Sequence, residues 1–315
     1  MPTIGVRHPA RLEQGHPFRQ WKTWTIPGTT LTITGYSRAN DKTFFHIPGL
    51  KCCLDAGLCE GRQPETVFLT HTHHDHSRDI DFLASRSAGV DLYAPAEALG
   101  YVETAIRSTR ELNFMAPFDP ALAGALRLHG VRGGDRIMLG KHAVRVVECV
   151  HKIPCVGYCF SEVKSRLTPE LEKLKLEMTA QGRHKELGTL LAQQRKAGVE
   201  INESFEQPLF AFLGDTHARV FEQTPWLFDY PVIITECTYL DDKERDRADR
   251  VGHTLWSQLR PVIETHPDHL FVLIHFSLRY SDAEVLAFFE KTGLHNLVIW
   301  AHPESLLPEQ HQHET

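Results

Sequence analysis

The chain has 315 residues, 42% of them hydrophobic and 23% charged, with a formal net charge of −6. This is enough apolar material for a large core, and too even a composition for a disordered, fibrous or membrane-embedded chain. The acidic balance excludes a globally basic nucleic-acid binder, although a local basic groove needs only a few well-placed cations. Residues 1–20 carry Arg7, Arg11 and Arg19 and no apolar stretch, so neither a signal peptide nor a membrane span is read there and cytoplasmic residence is expected. Cys52, Cys53, Cys59, Cys149, Cys155, Cys159 and Cys237 are odd in number, form no CxxC pair and lie mostly in apolar segments, which predicts buried free thiols.

Residues 30–34 alternate threonine with Leu31 and Ile33, and runs at 43–47 and 51–54 follow across Pro48-Gly49, which predicts an opening meander. The third run ends in Asp55-Ala56-Gly57. A fourth, 67–69, delivers Thr70-His71-Thr72-His73-His74-Asp75-His76, with four histidines and one carboxylate in seven residues. If the chain is still extended there, His71 and His73 leave the same side, and Asp75 and His76 follow in the turn. Imidazole and carboxylate are the donors that suit zinc and its first-row neighbours.

Residues 77–88 read as a helix with Ile80, Leu83 and Ala84 on one face and Gly89 as its stop; 90–93 reads as a strand and 95–110 as a second helix. Gly133-Gly134-Asp135 marks a turn before 136–139, and 142–150 is strongly β-branched. The interval 162–207 holds eight basic and eight acidic residues, and predicts a helical hairpin. Thr168 is its N-cap, Pro169 opens the first turn, Leu171, Leu174 and Met178 share a face, and Gly182 and Gly198 close the two helices. A substrate arm, a lid, an oligomer contact and a plain solvated insertion all fit that pattern. Further strands at 209–213, 232–235 and 270–274 end in Asp215, Glu236 and His275, while 241–250 reads as a solvated helix and Gly252-His253-Thr254 opens another. No internal repeat is visible. Strands first, then mixed helices and strands, suit packed sheets with helices outside.

Four apolar strands thus end in ligand-type residues: the His71 cluster, His151, Asp215 and His275. Singly, His151 and His275 can each be a buried, backbone-bonded histidine, and Asp215 a turn cap. Together, at one edge of packed sheets, they form a candidate metal site.

The whole chain resembles a metallo-β-lactamase-fold hydrolase, and within that superfamily the ribonuclease Z group of tRNA 3′-processing endonucleases and phosphodiesterases. His71, His73, Asp75 and His76 match the HxHxDH motif, His151 with Pro154 and Gly157-Tyr158 is similar to the third motif, and Gly214-Asp215-Thr216 matches GDT. Thr235-Glu236-Cys237-Thr238-Tyr239 looks like HEATF, Gly252-His253-Thr254 like HST, and His275-Phe276-Ser277-Leu278-Arg279-Tyr280 like THxSxRY.

The resemblance implies an α/β fold, a four-layer αβ/βα sandwich forming one domain over 1–315 with a helical insertion at 162–207. It implies two divalent metal ions, zinc by expectation with manganese or iron as alternatives. His71, His73, His151 and Asp215 would hold one ion, and Asp75, His76, Asp215 and His275 the other. Asp75, His253 and Glu236 would be the catalytic groups, with Asp75 on the water, His253 on the leaving oxygen and Glu236 holding His253. The implied partner is RNA, a tRNA precursor, or a small phosphodiester, with no membrane and with a homodimer open. Ester or lactone hydrolysis and a non-catalytic binding protein are the alternatives. Three features depart from the ribonuclease Z pattern. His74 stands where glycine is frequent, Ser77-Arg78-Asp79 replaces an apolar sequel, and the Gly-Pro-rich tRNA-gripping arm is not recognisable. Residues 309–313 read as a disordered tail.

Overall fold

The computed structural model describes residues 22–120 and 126–301. The readings of residues 1–20 and 309–313 lie outside the described residues. The first sheet takes its strands in chain order: β1 (Lys22–Thr25), β2 (Thr32–Arg38), β3 (Lys42–Ile47), β4 (Cys52–Leu54), β5 (Thr66–Phe68), β6 (Val90–Pro95) and β7 (Leu126–Val131). The second repeats that plan with β8 (Arg136–Leu139), β9 (His142–Glu148), β10 (Val156–Leu167), β11 (Asn202–Phe212), β12 (Val232–Glu236), β13 (Leu270–Ile274) and β14 (Leu297–Ile299).

In each sheet the first four strands pair antiparallel and the later pairings are parallel. The chain therefore repeats a pairing pattern that no sequence period reveals, because pairing direction is set by the connections and not by side-chain identity.

Period-2 alternation sorts side chains between layers. Ile33, Phe45, Leu54 and Phe68 meet Tyr158, Phe210, Phe212, Ile234 and Ile274 in the apolar layer between the sheets. Phe45 packs edge-on against Phe212 and Trp300, and Phe68 against Phe160, with centroids 5.3–5.6 Å apart, an arrangement aromatic quadrupoles favour. The outward residues Cys53, Val67, Leu69 and Leu92 are covered by α2 (Ile80–Ala84) and α3 (Leu99–Phe114), which follow the single turn α1 (His74–Ser77). On the other sheet Ala211, Ile233, Phe271 and Leu273 are covered by residues of α6 (Val220–Gln223), α8 (Trp256–Thr265) and α9 (Asp282–Glu290), with α7 (Arg245–Val251) preceding α8. The result is the helix–sheet–sheet–helix sandwich. All seven cysteines are free and buried, as expected.

Three expectations need adjustment. The helix read over 77–88 is shorter: Ser77 closes α1 and α2 spans only Ile80–Ala84, with Asp79 between them accepting from the Cys59 amide. The insertion is not helical throughout: β10 and β11 run on as a two-stranded stem, pairing Glu162–Gln207 through Leu167–Asn202, and only then give way to α4 (Pro169–Ala180) and α5 (His184–Lys196). Thr168 occupies the N-cap position of α4, but its hydroxyl makes no capping bond. At about 3.3 Å per residue, the stem carries the helices roughly 35 Å from the start of β10. No helix among the described residues is long and apolar enough to cross a membrane.

Candidate metal centre

The site lies where strands of both sheets end. β4 leads into Asp55, β5 into Thr70 and His71, β9 into His151, β11 into Asp215, β12 ends on Glu236, and β13 leads into His275. Two glycines let the backbone close around these ends. A Cβ on Gly57 would lie 1.9 Å from the Asp75 carbonyl oxygen, and Gly252 combines a left-handed φ of 72° with an approach of 2.7 Å to the His151 Cα.

Two groups of donor atoms form. In the first, His71 Nε2 lies 3.0 Å from His73 Nδ1, which lies 3.2 Å from His151 Nε2, and Asp215 Oδ2 is 3.5 Å from His71 Nε2. In the second, His76 Nε2 and His275 Nε2 are 3.2 Å apart, Asp215 Oδ1 is 3.3 Å and 3.5 Å from them, and Asp75 Oδ2 is 3.4 Å from His275 Nε2. Asp215, nearly fully buried, thus offers one oxygen to each group.

The hydrogen bonds at the far ring nitrogens decide which face of each imidazole carries its lone pair. His151 Nδ1 donates to the Gly252 carbonyl at 2.9 Å and His76 Nδ1 to Asp55 Oδ2 at 2.7 Å. Thr70 Oγ1 donates to Asp55 Oδ1, so it accepts from His71 Nδ1 at 3.0 Å. Thr238 Oγ1 donates to Glu236 and in the same way accepts from His275 Nδ1 at 3.2 Å. With the rings neutral, four Nε2 lone pairs point inward, at one another and at a buried carboxylate, an arrangement that repels unless protons or metal cations lie between them. The residues present fit divalent metal ions.

Electrostatics follow the same division. Burial, helped by the neighbouring imidazoles, lowers His71 well below the ordinary histidine value and holds His73 at about 4. Burial likewise lowers His151 despite Asp215. For His76 burial opposes the charge, yet Asp215 and Asp55 outweigh it and raise its pKa well above normal. Burial also opposes ionisation of Asp215, and the His275, His76 and His71 rings more than reverse it, holding the carboxyl well below the usual range.

A profile described as "Beta-lactamase superfamily domain" matches residues 56–276. The chain belongs to the beta-lactamase superfamily. Similar proteins include "tRNase Z TRZ2, chloroplastic" of Arabidopsis thaliana, 27% identical over 80% of this chain and 69% of the relative, and "tRNase Z TRZ1" of the same plant, 27% identical over 80% and 88%. "Ribonuclease Z" of Halalkalibacterium halodurans is 28% identical over 69% and 72%. The fold and these relatives make the chain a ribonuclease Z-like hydrolase of this superfamily.

Beside both donor groups of this hydrolase stands His253. Its Nδ1 is 2.6 Å from Glu236 Oε1 and 3.8 Å from Asp215 Oδ2. Glu236, fully buried, also accepts from the Thr216, Thr238 and Thr254 amides, so its position is fixed from several sides. Burial works against a charge on His253, but Glu236 pushes its pKa up to about 9. His253 can be grouped with Asp215 and His275 as a donor set, but the Glu236 bond occupies the ring nitrogen nearest Asp215.

A cavity of about 450 Å³ opens onto Asp75, Asp215, His253 and His275, with Lys152, Arg247 and Arg279 on its walls. All nine residues singled out in the sequence are brought together here. Asp55 is the functional residue that sequence reasoning passed over. Its signal was present, an aspartate closing the strand next to the histidine-bearing one. Asn40 was also missed: its backbone amide donates to Asp75 Oδ2 at 2.8 Å, an interaction that leaves no mark on side-chain identity.

Proposed function

We propose that this hydrolase is a dinuclear metal-dependent phosphodiesterase of the ribonuclease Z type, acting in the cytoplasm on RNA, a tRNA precursor, through one catalytic domain. The observation that carries the reading is the pair of donor groups sharing Asp215, with the His253–Glu236 pair next to both. His71, His73, His151 and Asp215 would hold one ion, and Asp75, His76, Asp215 and His275 the other. Zinc suits this donor set, and manganese and iron fit it as well. When bound, a pair of divalent ions supplies Lewis acidity that lowers the pKa of water and offsets charge on a phosphoryl centre.

The remaining work falls to the chain's own side chains. Asp75, aligned by the Asn40 amide, receives the proton of the attacking water. Lys152 and Arg247 on the cavity wall offset the charge of the phosphates, beside Arg279, whose guanidinium is paired with Glu244. His253, held by Glu236 as a proton donor, protonates the oxygen that leaves, which in an RNA chain is a 3′-oxygen. The relatives' names, tRNase Z and ribonuclease Z, support RNA as the substrate.

A second reading, a small phosphodiester, has one observation in its favour. Four of the eight Lys and Arg side chains of the stem and helical hairpin are paired within the same segment: Lys164 with Glu162, Arg166 with Glu203, Lys175 with Glu172 and Arg183 with Glu186. Such pairing reduces what the segment can offer to a polyanion. The test is purified chain with a 3′-extended precursor tRNA, bis(p-nitrophenyl) phosphate and p-nitrophenyl acetate. Metal-dependent cleavage of the RNA to a 3′-hydroxyl is expected. Turnover of the small phosphodiester alone selects the second reading, and turnover of the ester alone removes the phosphodiesterase assignment.

A further inference from the structure

His275 has a φ of 62°, a left-handed conformation that the Cβ of a non-glycine residue disfavours. Such a conformation persists only where the surroundings over-determine it. Much of that determination comes from the other sheet, across more than 200 positions of sequence. Arg38, at the end of β2, is buried, its side chain 5% exposed. Its Nη2 donates to the carbonyl oxygens of Ser277 at 3.0 Å and Tyr280 at 2.5 Å, and its Nη1 pairs with Asp282 at the start of α9. The next two residues continue the contact through the main chain. The Ala39 amide donates to the Phe276 carbonyl at 3.2 Å, and the Asn40 amide to Asp75 Oδ2 at 2.8 Å.

We infer that Arg38 is a positioning residue for the donor group of Asp75, His76 and His275: its guanidinium clamps the turn after His275, and the chain that follows it aligns Asp75. The inference rests on the two-ion reading of the site and adds to it a residue that touches neither ion nor substrate. The planar fork of arginine is what the geometry uses, because two carbonyls and a carboxylate are met at once from one rigid group. Lysine, a single ammonium on a flexible stem, reproduces the charge and not the fork. The donor group of His71, His73 and His151 receives none of these contacts. It is oriented by Thr70 and by the Gly252 carbonyl instead. Loss of Arg38 therefore acts on one ion and spares the other.

The test is calorimetric titration of the chelator-stripped full chain with zinc, with bound metal counted by elemental analysis after dialysis, in wild type, Arg38→Ala, Arg38→Lys and Asp282→Asn. Wild type is expected to take two ions. Arg38→Ala is expected to keep one at wild-type affinity and to bind the second about 10- to 100-fold more weakly, the loss usual for residues that orient a metal ligand. Arg38→Lys should recover part of that loss, and Asp282→Asn, in which the Ser281–Glu284 cap of α9 remains, should show a smaller loss in the same ion. Wild-type affinity for both ions in Arg38→Ala, or an equal loss for both, overturns the inference. If Arg38→Ala does not fold, the same outcomes in Asp282→Asn decide it. Fewer than two ions in wild type overturns the two-ion reading itself and the role of Arg38 with it.

Discussion

Asp55→Asn separates the orientation of a ligand from the integrity of the fold. Asp55 Oδ1 accepts from the Thr70 amide and hydroxyl, both at 2.8 Å, so in the variant the amide oxygen must stay on that side. The amide nitrogen then faces His76 Nδ1, where the carboxylate oxygen accepted at 2.7 Å. Two donors cannot face each other, so His76 moves its proton to Nε2, the atom that points at His275 and Asp215. The lone pair needed for a metal is lost from that atom while the buried Thr70 bonds survive. A loss of about 10- to 100-fold in affinity for the second ion corresponds to about 1.4–2.8 kcal/mol. Asp55→Ala should do more, because it also releases Thr70 and through it His71, leaving the Thr70 amide unpaired at a cost of about 1–3 kcal/mol in stability. The assay is zinc titration together with imidazole nitrogen chemical shifts, which report the tautomer. Wild-type affinity for two ions in Asp55→Asn, with His76 still protonated at Nδ1, would refute the reasoning.

Other expectations follow from the same contacts. His253→Ala should slow cleavage of RNA, whose leaving oxygen needs a proton, by about 10²- to 10⁴-fold, and should slow bis(p-nitrophenyl) phosphate far less because nitrophenolate leaves unassisted. Equal loss on both substrates in steady-state assays would mean that His253 is not the proton donor. Gly57→Ala places a methyl against backbone at Asp75 and Thr43, and is expected to cost about 1–3 kcal/mol in urea unfolding as well as metal affinity. An unchanged midpoint would show that the loop has room to relax. His46, half-buried on β3, has its pKa lowered below 6.5 by burial and by Arg62. The unfolded chain therefore takes up this proton first, so stability is full above pH 6.5 and declines as the pH falls below it toward the depressed folded value. His46→Gln should make the urea midpoint less pH-dependent in that window, and an identical pH profile would contradict the assignment.

The ligands were legible because each follows an apolar strand, and strand ends of two packed sheets meet at one edge. Asp215 and His275 announce themselves this way even though they lie far from His71 in sequence. Asp55 has the same placement but no histidine beside it, and its role appears only once β4 and β5 pair in parallel and bring it to Thr70 and His76. Arg38 is less visible still: it sits at the end of an ordinary amphipathic strand, and its partners are mostly backbone carbonyls, which no residue pattern encodes. The two-stranded stem beneath α4 and α5 was hidden because, although Glu162, Lys164 and Arg166 alternate with Val163, Ser165 and Leu167, the stretch is short and has only two apolar residues, too few to stand out from the charged helices that follow. The twofold plan of the sheets was hidden because it repeats pairing directions alone.

Two ions acting together on a phosphodiester would show in the rate of bis(p-nitrophenyl) phosphate hydrolysis against equivalents of zinc added to chelator-stripped protein. No turnover is expected without metal, little at one equivalent and a plateau at two. Full turnover of the stripped protein, or a plateau at one equivalent, would contradict two-ion action.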